Sequence, residues 1–178
     1  SEVERVLKEA DKLLKDNDEK NERVDREVEK LIRDSHEKSK KVDERAKRAL
    51  DKLDDEVRKV KDEELKRELK ERIKKVLEEH KRLSDENRDE NRKVLERHKE
   101  LVDRSKKELE EVLKELRKKL RKEEMLREVE KKVETLKKKS DDSHKEIEEK
   151  IRRNIEEDDK SHERIREEAE KLKKKIDD

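Results

Sequence analysis

The side chains able to do chemistry in this chain are its five histidines and the Asn, Ser and Asp residues near them. His36 lies between Ser35 and Ser39; His80 precedes Ser84, Asn87 and Asn91; His98 precedes Ser105. His144 follows Ser140 and Ser143, and His162 follows Asn154, Asp158 and Ser161. Imidazole changes charge between pH 5 and 8. A histidine buried neutral in a hydrogen-bonded network therefore loses its stabilising role as pH falls, and acid loosens whatever it holds. Imidazole and carboxylate also bind zinc. Asp158 and His162, four apart on one helical face, with His80 expected near them, and His98 with His144 are the sets to consider. Against a metal, Ser and Asn dominate the surroundings, and the Glu-x-x-His motifs of di-metal bundles are absent. Ser, His and Asp also occur together, but no elbow or oxyanion pocket is implied. The expectation is no enzyme, no catalytic or metal residues and no cofactor.

Composition sets the same limits. There is no Gly, so a P-loop, a dinucleotide-binding turn and a nucleophile elbow cannot be built. There is no Phe, Trp or Tyr on which a nucleobase could stack. Lys+Arg 58 against Asp+Glu 57 leaves a net charge of +1, with no global field to attract nucleic acid or anionic lipid. Cys is absent, which excludes disulfides and thiolate sites. Apolar runs such as Val76-Leu77 are too short for a membrane span or a signal-peptide core. The expected partners are therefore neither nucleic acid, membrane nor small molecule, and the expected chain is soluble, cytoplasmic if expressed in a host, with no natural location.

What must position these residues is a set of long helices. The chain is 65% charged and 25% apolar. Disorder is a rival at that composition, but the apolar residues are periodic. One seam runs Val3, Leu7, Ala10, Leu14, Asn17, Asn21, Val24, Val28, Leu31, Ser35, Ser39, Val42, Ala46 and onward to Val60, in steps of three and four. A second runs from Leu65 through His80, Ser84, Asn87, Asn91 and His98 to Leu120; a third runs from Leu126 through Ser140, Ser143, Asn154, Asp158 and Ser161 to Ile176. Neighbours such as Leu13, Ile32 and Leu95 widen each stripe, as contact with two partners requires.

The period slips between Val60 and Leu65 and again between Leu120 and Leu126. There basic residues give way to acidic ones, as the helix dipole favours. Helices are expected at about 2–61, 63–120 and 124–177, with Asp62 as an N-cap. Breaks at 16–21, 83–87 and 139–143 would instead give six helices, but the seam keeps its phase through all three places. The result is an all-α, antiparallel up-down-up three-helix bundle of coiled-coil type, one domain over 1–178, a rod of roughly 85–90 Å at 1.5 Å per residue.

Folding the chain at the two slips brings the polar seam residues to two levels. Asn17, Asn21, His98, Ser105, Ser140, Ser143 and His144 form one; Ser35, His36, Ser39, His80, Ser84, Asn87, Asn91, Asn154, Asp158, Ser161 and His162 form the other. An unpartnered buried polar group costs roughly 1–3 kcal/mol. Gathering donors and acceptors at one level offsets that cost and penalises wrong registers.

The chain resembles a de novo designed helical bundle with buried hydrogen-bond networks. The resemblance rests on Glu/Lys/Arg surfaces, aromatic-free Leu/Ile/Val/Ala cores, three near-equal helices and level-matched sets such as Asn17-Ser105-Ser140 and Asn91-Asn154. It covers the whole chain, and the missing Gly or Pro in the turns departs from it. It implies a scaffold without natural activity whose networks set helix pairing. Some designs of this kind use histidine to make assembly pH-dependent, which gives a pH-responsive bundle as the alternative; a metal- or helix-binding module is the second. A monomer is expected, with a homo-oligomer of the same helices as the alternative.

Overall fold

The computed structural model describes residues 1–178. Three α-helices account for nearly all of them: α1 (Glu2–Lys59), α2 (Glu63–Lys119) and α3 (Glu123–Asp177). Their sequences hold no Gly or Pro and are rich in Glu, Lys, Arg and Leu, all good helix formers. The helices run unbroken through 16–21, 83–87 and 139–143, so the six-helix arrangement is not formed. The observed ends fall within two residues of those expected.

Both turns are three residues long, 60–62 and 120–122. No residue takes a positive φ, which is why neither turn needs glycine. Asp62 caps α2: its Oδ1 accepts the Glu64 amide at 3.1 Å, satisfying one of the amides a helix start leaves unpaired.

Contacts divide the chain into two compact units. Unit 1 is Ser1–Leu31 with Lys93–Lys150; unit 2 is Ile32–Arg92 with Ile151–Asp178. Each takes a segment from every helix and packs them up-down-up. In unit 1, Asn17 meets Ser105 and Asp25 meets His98, so α1 and α2 are antiparallel. Lys139 binds Asp18 and Lys150 binds Glu29, so α3 runs parallel to α1. Unit 2 shows the same pairing through Ser35 with Asn87, Asp43 with His80, and Lys175 with Asp54.

Each unit has its own apolar core. In unit 1, Ala10 and Leu14 pack with Leu109, Leu113, Leu116, Leu120, Val129 and Val133. In unit 2, Leu50, Leu53 and Val57 pack with Leu69, Ile73, Ile165, Ala169, Leu172 and Ile176, among others. Core positions recur at a constant interval along a helix: Leu14, Ile32 and Leu50 on α1; Val129, Ile147 and Ile165 on α3. Five turns of an ideal helix take about 18 residues, so positions at that interval share one face of a straight helix. This spacing corrects the expected seam. Leu31 is half exposed (50%) while its neighbour Ile32 is buried, and Leu13, Leu65 and Val3 also lie at the surface.

No helix is long and apolar enough to cross a membrane. Most charges lie on exposed faces, in ion pairs both within a helix, as Arg82 with Glu86, and between helices, as Lys132 with Asp11; exposed pairs are individually worth about 0–1 kcal/mol. The interhelical pairs of Lys139 with Asp18 and Glu22 (2.8 and 2.9 Å) push the Lys139 ammonium pKa up through those hydrogen bonds.

Candidate functional site

The polar residues form one assembly in each unit, made of two hydrogen-bonded sets: amides with hydroxyls, and a histidine pair with a carboxylate and a serine. In unit 1, Asn21 Nδ2 donates to Ser105 Oγ at 2.7 Å, to Asn17 Oδ1 at 3.2 Å and to Ser140 Oγ at 3.3 Å. Ser105 Oγ donates to Asn17 Oδ1 at 3.1 Å. Asn17 Nδ2 donates to the Ser105 carbonyl and to Glu108, both at 3.3 Å.

One turn further along α1 stands a histidine pair. His98 Nε2 lies 2.8 Å from Asp25 Oδ1, and His98 Nδ1 lies 2.9 Å from His144 Nδ1. Ser143 Oγ donates to the other Asp25 oxygen at 2.6 Å. For a pair of neutral rings the partners fix the tautomers. A carboxylate only accepts, so His98 carries its proton on Nε2; its Nδ1 is then a lone pair, and His144 must donate from Nδ1. The ring centroids are 5.2 Å apart and the planes within 5°. That separation is the N···N distance plus one ring radius on each side. The rings therefore meet edge to edge in one plane, on the axis of an N–H···N bond, and are not face-stacked.

Unit 2 repeats the arrangement. His80 Nε2 is 2.7 Å from Asp43 Oδ1, and His80 Nδ1 is 2.9 Å from His162 Nδ1, with planes within 10°. Ser161 hydrogen-bonds Asp43. Beside this pair, Asn87 Nδ2 donates to Ser39 Oγ at 2.6 Å and to Asp158 Oδ2 at 3.2 Å. Ser35 Oγ donates to Asn87 Oδ1 at 2.9 Å, and Asn91 Nδ2 donates to Ser35 Oγ at 2.7 Å. Asn154 bonds the Ile32 carbonyl at 3.2 Å and does not reach Asn91.

The two assemblies correspond position by position. Asp25, His98, Ser143 and His144 in unit 1 match Asp43, His80, Ser161 and His162 in unit 2. Each is displaced along its helix by the same interval of about five turns. By the same shift Asn17, Asn21, Ser105 and Ser140 match Ser35, Ser39, Asn87 and Asp158. Across both units, no buried side-chain nitrogen or oxygen lacks a hydrogen-bond partner.

Besides Asn154, two expected members stand apart. His36 is half-buried and pairs with the exposed Glu157 at 3.2 Å, at the rim. Ser84 is half-buried and joins none of these hydrogen bonds. Conversely, Asp25 and Asp43 lie outside the expected set. Nothing in their immediate sequence distinguishes them from solvent-facing acids, and the exposed Asp16 and Asp34 share the same five-turn shift; what sets Asp25 and Asp43 apart is the histidine each meets in the fold.

The environment sets the titration of the outer groups. Burial and the facing histidine push the His144 and His162 pKa values down. Burial pushes Asp25 and Asp43 up, but hydrogen bonds from the histidine and the serine outweigh it and leave both below the usual carboxylate value. Asp158 moves the other way: burial raises it, and its hydrogen bonds to Ser39 and Asn87 do not compensate. No group of three or more His, Cys, Asp or Glu residues is arranged around a common ion position.

No protein-family model matches the chain, and no curated protein does. Among solved structures the chain is similar to one described as a "Computationally designed three helix bundle". The match has 24% identity and a TM-score of 0.42, and covers 99% of this chain and 84% of that one.

Proposed function

We propose that this chain is a designed structural scaffold without natural activity, in which the two polar assemblies specify how the helices pair. The observation that carries the reading is complete satisfaction: side chains from all three helices meet at one level in each unit, and no buried side-chain polar atom is left over. A one-turn slip of any helix would strand imidazoles and amides against apolar residues, at roughly 1–3 kcal/mol for each orphaned group. An apolar core of the same volume holds helices together at least as well but tolerates such slips. The test is a variant carrying Leu or Ile at the buried positions Asn17, Ser105, Asn87, Asn91, Asn154, Asp158, His80 and His98. It is expected to resist denaturant better than the parent and to lose uniqueness, seen as mixed oligomers in light scattering or broadened NMR spectra. A variant that stays a single sharp species would remove pairing specificity as the role.

The head-to-head imidazoles favour a second reading, a bundle that acid loosens. Each Nδ1···Nδ1 contact holds one proton. Protonating His144 on Nε2 preserves it; charging both rings puts two N–H groups nose to nose at 2.9 Å and breaks it. Around the first pair lie Asp25 from α1, Lys99 and Asp103 from α2, and Glu148 and Lys139 from α3. Around the second lie Asp43 and Lys47 from α1, Lys81 and Asp85 from α2, and Asp158 and Glu163 from α3. Both sets mix signs, and Asp25 and Asp43 stand behind the inner rings, but neither carboxylate reaches the Nδ1···Nδ1 contact where the two N–H groups would collide. Resistance to denaturant should then drop between pH 7.5 and 5, and an unchanged midpoint would remove this reading.

A further inference from the structure

The same pairs present a geometry that a proton does not exhaust. Two imidazole nitrogens face each other on one line, in rings coplanar to within 5° and 10°. That is the donor arrangement a linear, two-coordinate cation requires. We propose that each pair, His98 with His144 and His80 with His162, is a binding site for a monovalent d10 cation, Cu⁺ or Ag⁺, which takes the place of the shared proton between the two Nδ1 atoms.

Three observations carry this. First, the inner ligands are already set. Asp25 and Asp43 accept the Nε2–H of His98 and His80, fixing the tautomer that leaves Nδ1 a free lone pair aimed at the partner. A carboxylate behind a histidine is the outer support that orients metal-bound imidazoles. Each carboxylate is itself held, by Ser143 in one unit and Ser161 in the other.

Second, the donor number selects the ion class. Zinc takes four ligands in structural sites and three protein ligands in catalytic ones. No third His, Cys, Asp or Glu converges here. Imidazole suits copper, and two collinear nitrogens match its monovalent state.

Third, the distance can adjust on the correct side. With a metal–nitrogen bond of about 2.0–2.1 Å, a linear site needs about 4 Å between the nitrogens. They stand 2.9 Å apart. His80 and His98 are enclosed, with no side-chain exposure, and anchored. His144 and His162 are only part-buried and close onto their partners from the solvent side. A swing of about 1 Å by the outer ring makes the room.

The balance is simple. No electron moves and no proton leaves. The outer histidine transfers its proton from Nδ1 to Nε2, which in His144 points towards Glu148 at 3.8 Å. The added positive charge sits between Asp25 and Glu148 in one unit and beside Asp43 in the other.

The proposal rests on the pair geometry alone, so it survives or fails independently of whether the assemblies specify helix pairing. It is tested by titrating the full chain with silver nitrate in chloride-free buffer at pH 7.5. Calorimetry reads stoichiometry and circular dichroism reads thermal unfolding. The expected result is two equivalents bound and a raised midpoint, with His144→Asn or His162→Asn binding one and the double variant none. His36→Asn, which alters the rim histidine, keeps both. Asp25→Asn keeps every imidazole and is expected to weaken one site of the two. The Met125 thioether is present in every variant, so any silver it took would add equally to all of them and leave the difference of two equivalents between parent and double variant unchanged. A double variant that binds silver as the parent does, or a parent that binds none, overturns the proposal.

Discussion

At the scale of single residues, position decides what an imidazole contributes. His98 is enclosed and engages both ring nitrogens, whereas His36 keeps one exposed partner at the rim. Truncating His98 to Ala opens a cavity and orphans Asp25 and His144. We expect a loss of about 2–5 kcal/mol, in the range of large buried truncations. His36→Ala should fall within about 0.5 kcal/mol of the parent, as rim substitutions do. Guanidinium unfolding at pH 7.5 measures both, and equal effects would mean that the buried network contributes nothing specific. Asp158 supplies the opposite sign. Its raised pKa means that the folded state resists holding it ionised. It is therefore destabilising at neutral pH and relieved as pH falls towards the ordinary carboxylate value of 3.8. Asp158→Asn should raise the unfolding midpoint at pH 7.5 and lose that advantage in acid. A variant less stable at neutral pH would show instead that the carboxylate's hydrogen bonds outweigh its burial.

At the scale of elements, the three helices and both turns were legible because two independent signals agree at 60–65 and 120–126: the apolar period slips and the charge changes sign. Asp62 illustrates the pairing of sequence sign and geometry. It stands where acid replaces base, and it accepts the Glu64 amide. Asp62→Ala should cost about 1 kcal/mol, typical of an N-cap, with little change in helical content by circular dichroism. No measurable cost would mean that solvent caps α2 equally well. Steps of three and four could not distinguish Leu31 from Ile32, because adjacent residues both fit a wide stripe. The five-turn spacing distinguishes them, since Ile32 stands at that interval from both Leu14 and Leu50, which are buried with it. The same spacing does not single out Asp25 and Asp43. Among 57 acidic residues a single carboxylate carries no local mark, and the exposed Asp16 and Asp34 repeat at the same interval, so the role of Asp25 and Asp43 shows only where the fold sets them against a histidine.

At the scale of the whole molecule, stability should depend on pH through groups of opposing sign. His144 and His162 have lowered pKa values in the fold, so the unfolded chain binds their protons more readily. Their contribution is fully present above the unfolded value near 6.5 and is lost as pH falls from there towards the lowered folded values. Asp25 and Asp43, also lowered, hold their contribution until the pH drops below the ordinary carboxylate value of 3.8. Asp158 works against both trends. The net expectation is a guanidinium midpoint that declines between pH 7.5 and 5 and falls again below pH 4. It should be nearly flat across the upper interval once His144 and His162 are both replaced by Asn. A parent midpoint unchanged from pH 7.5 to 5 would leave a static scaffold.

All of this depends on the histidine pairs being formed as described. The most direct measurement is the long-range proton–nitrogen NMR spectrum of the histidine side chains at pH 7.5, which reads the tautomer of each ring. The geometry predicts His80 and His98 protonated on Nε2, His144 and His162 protonated on Nδ1, and protons shared across the Nδ1···Nδ1 contacts that exchange slowly with solvent. Four rings with averaged tautomers and fast-exchanging protons would contradict it, because free imidazoles in water give that pattern and buried, paired ones do not.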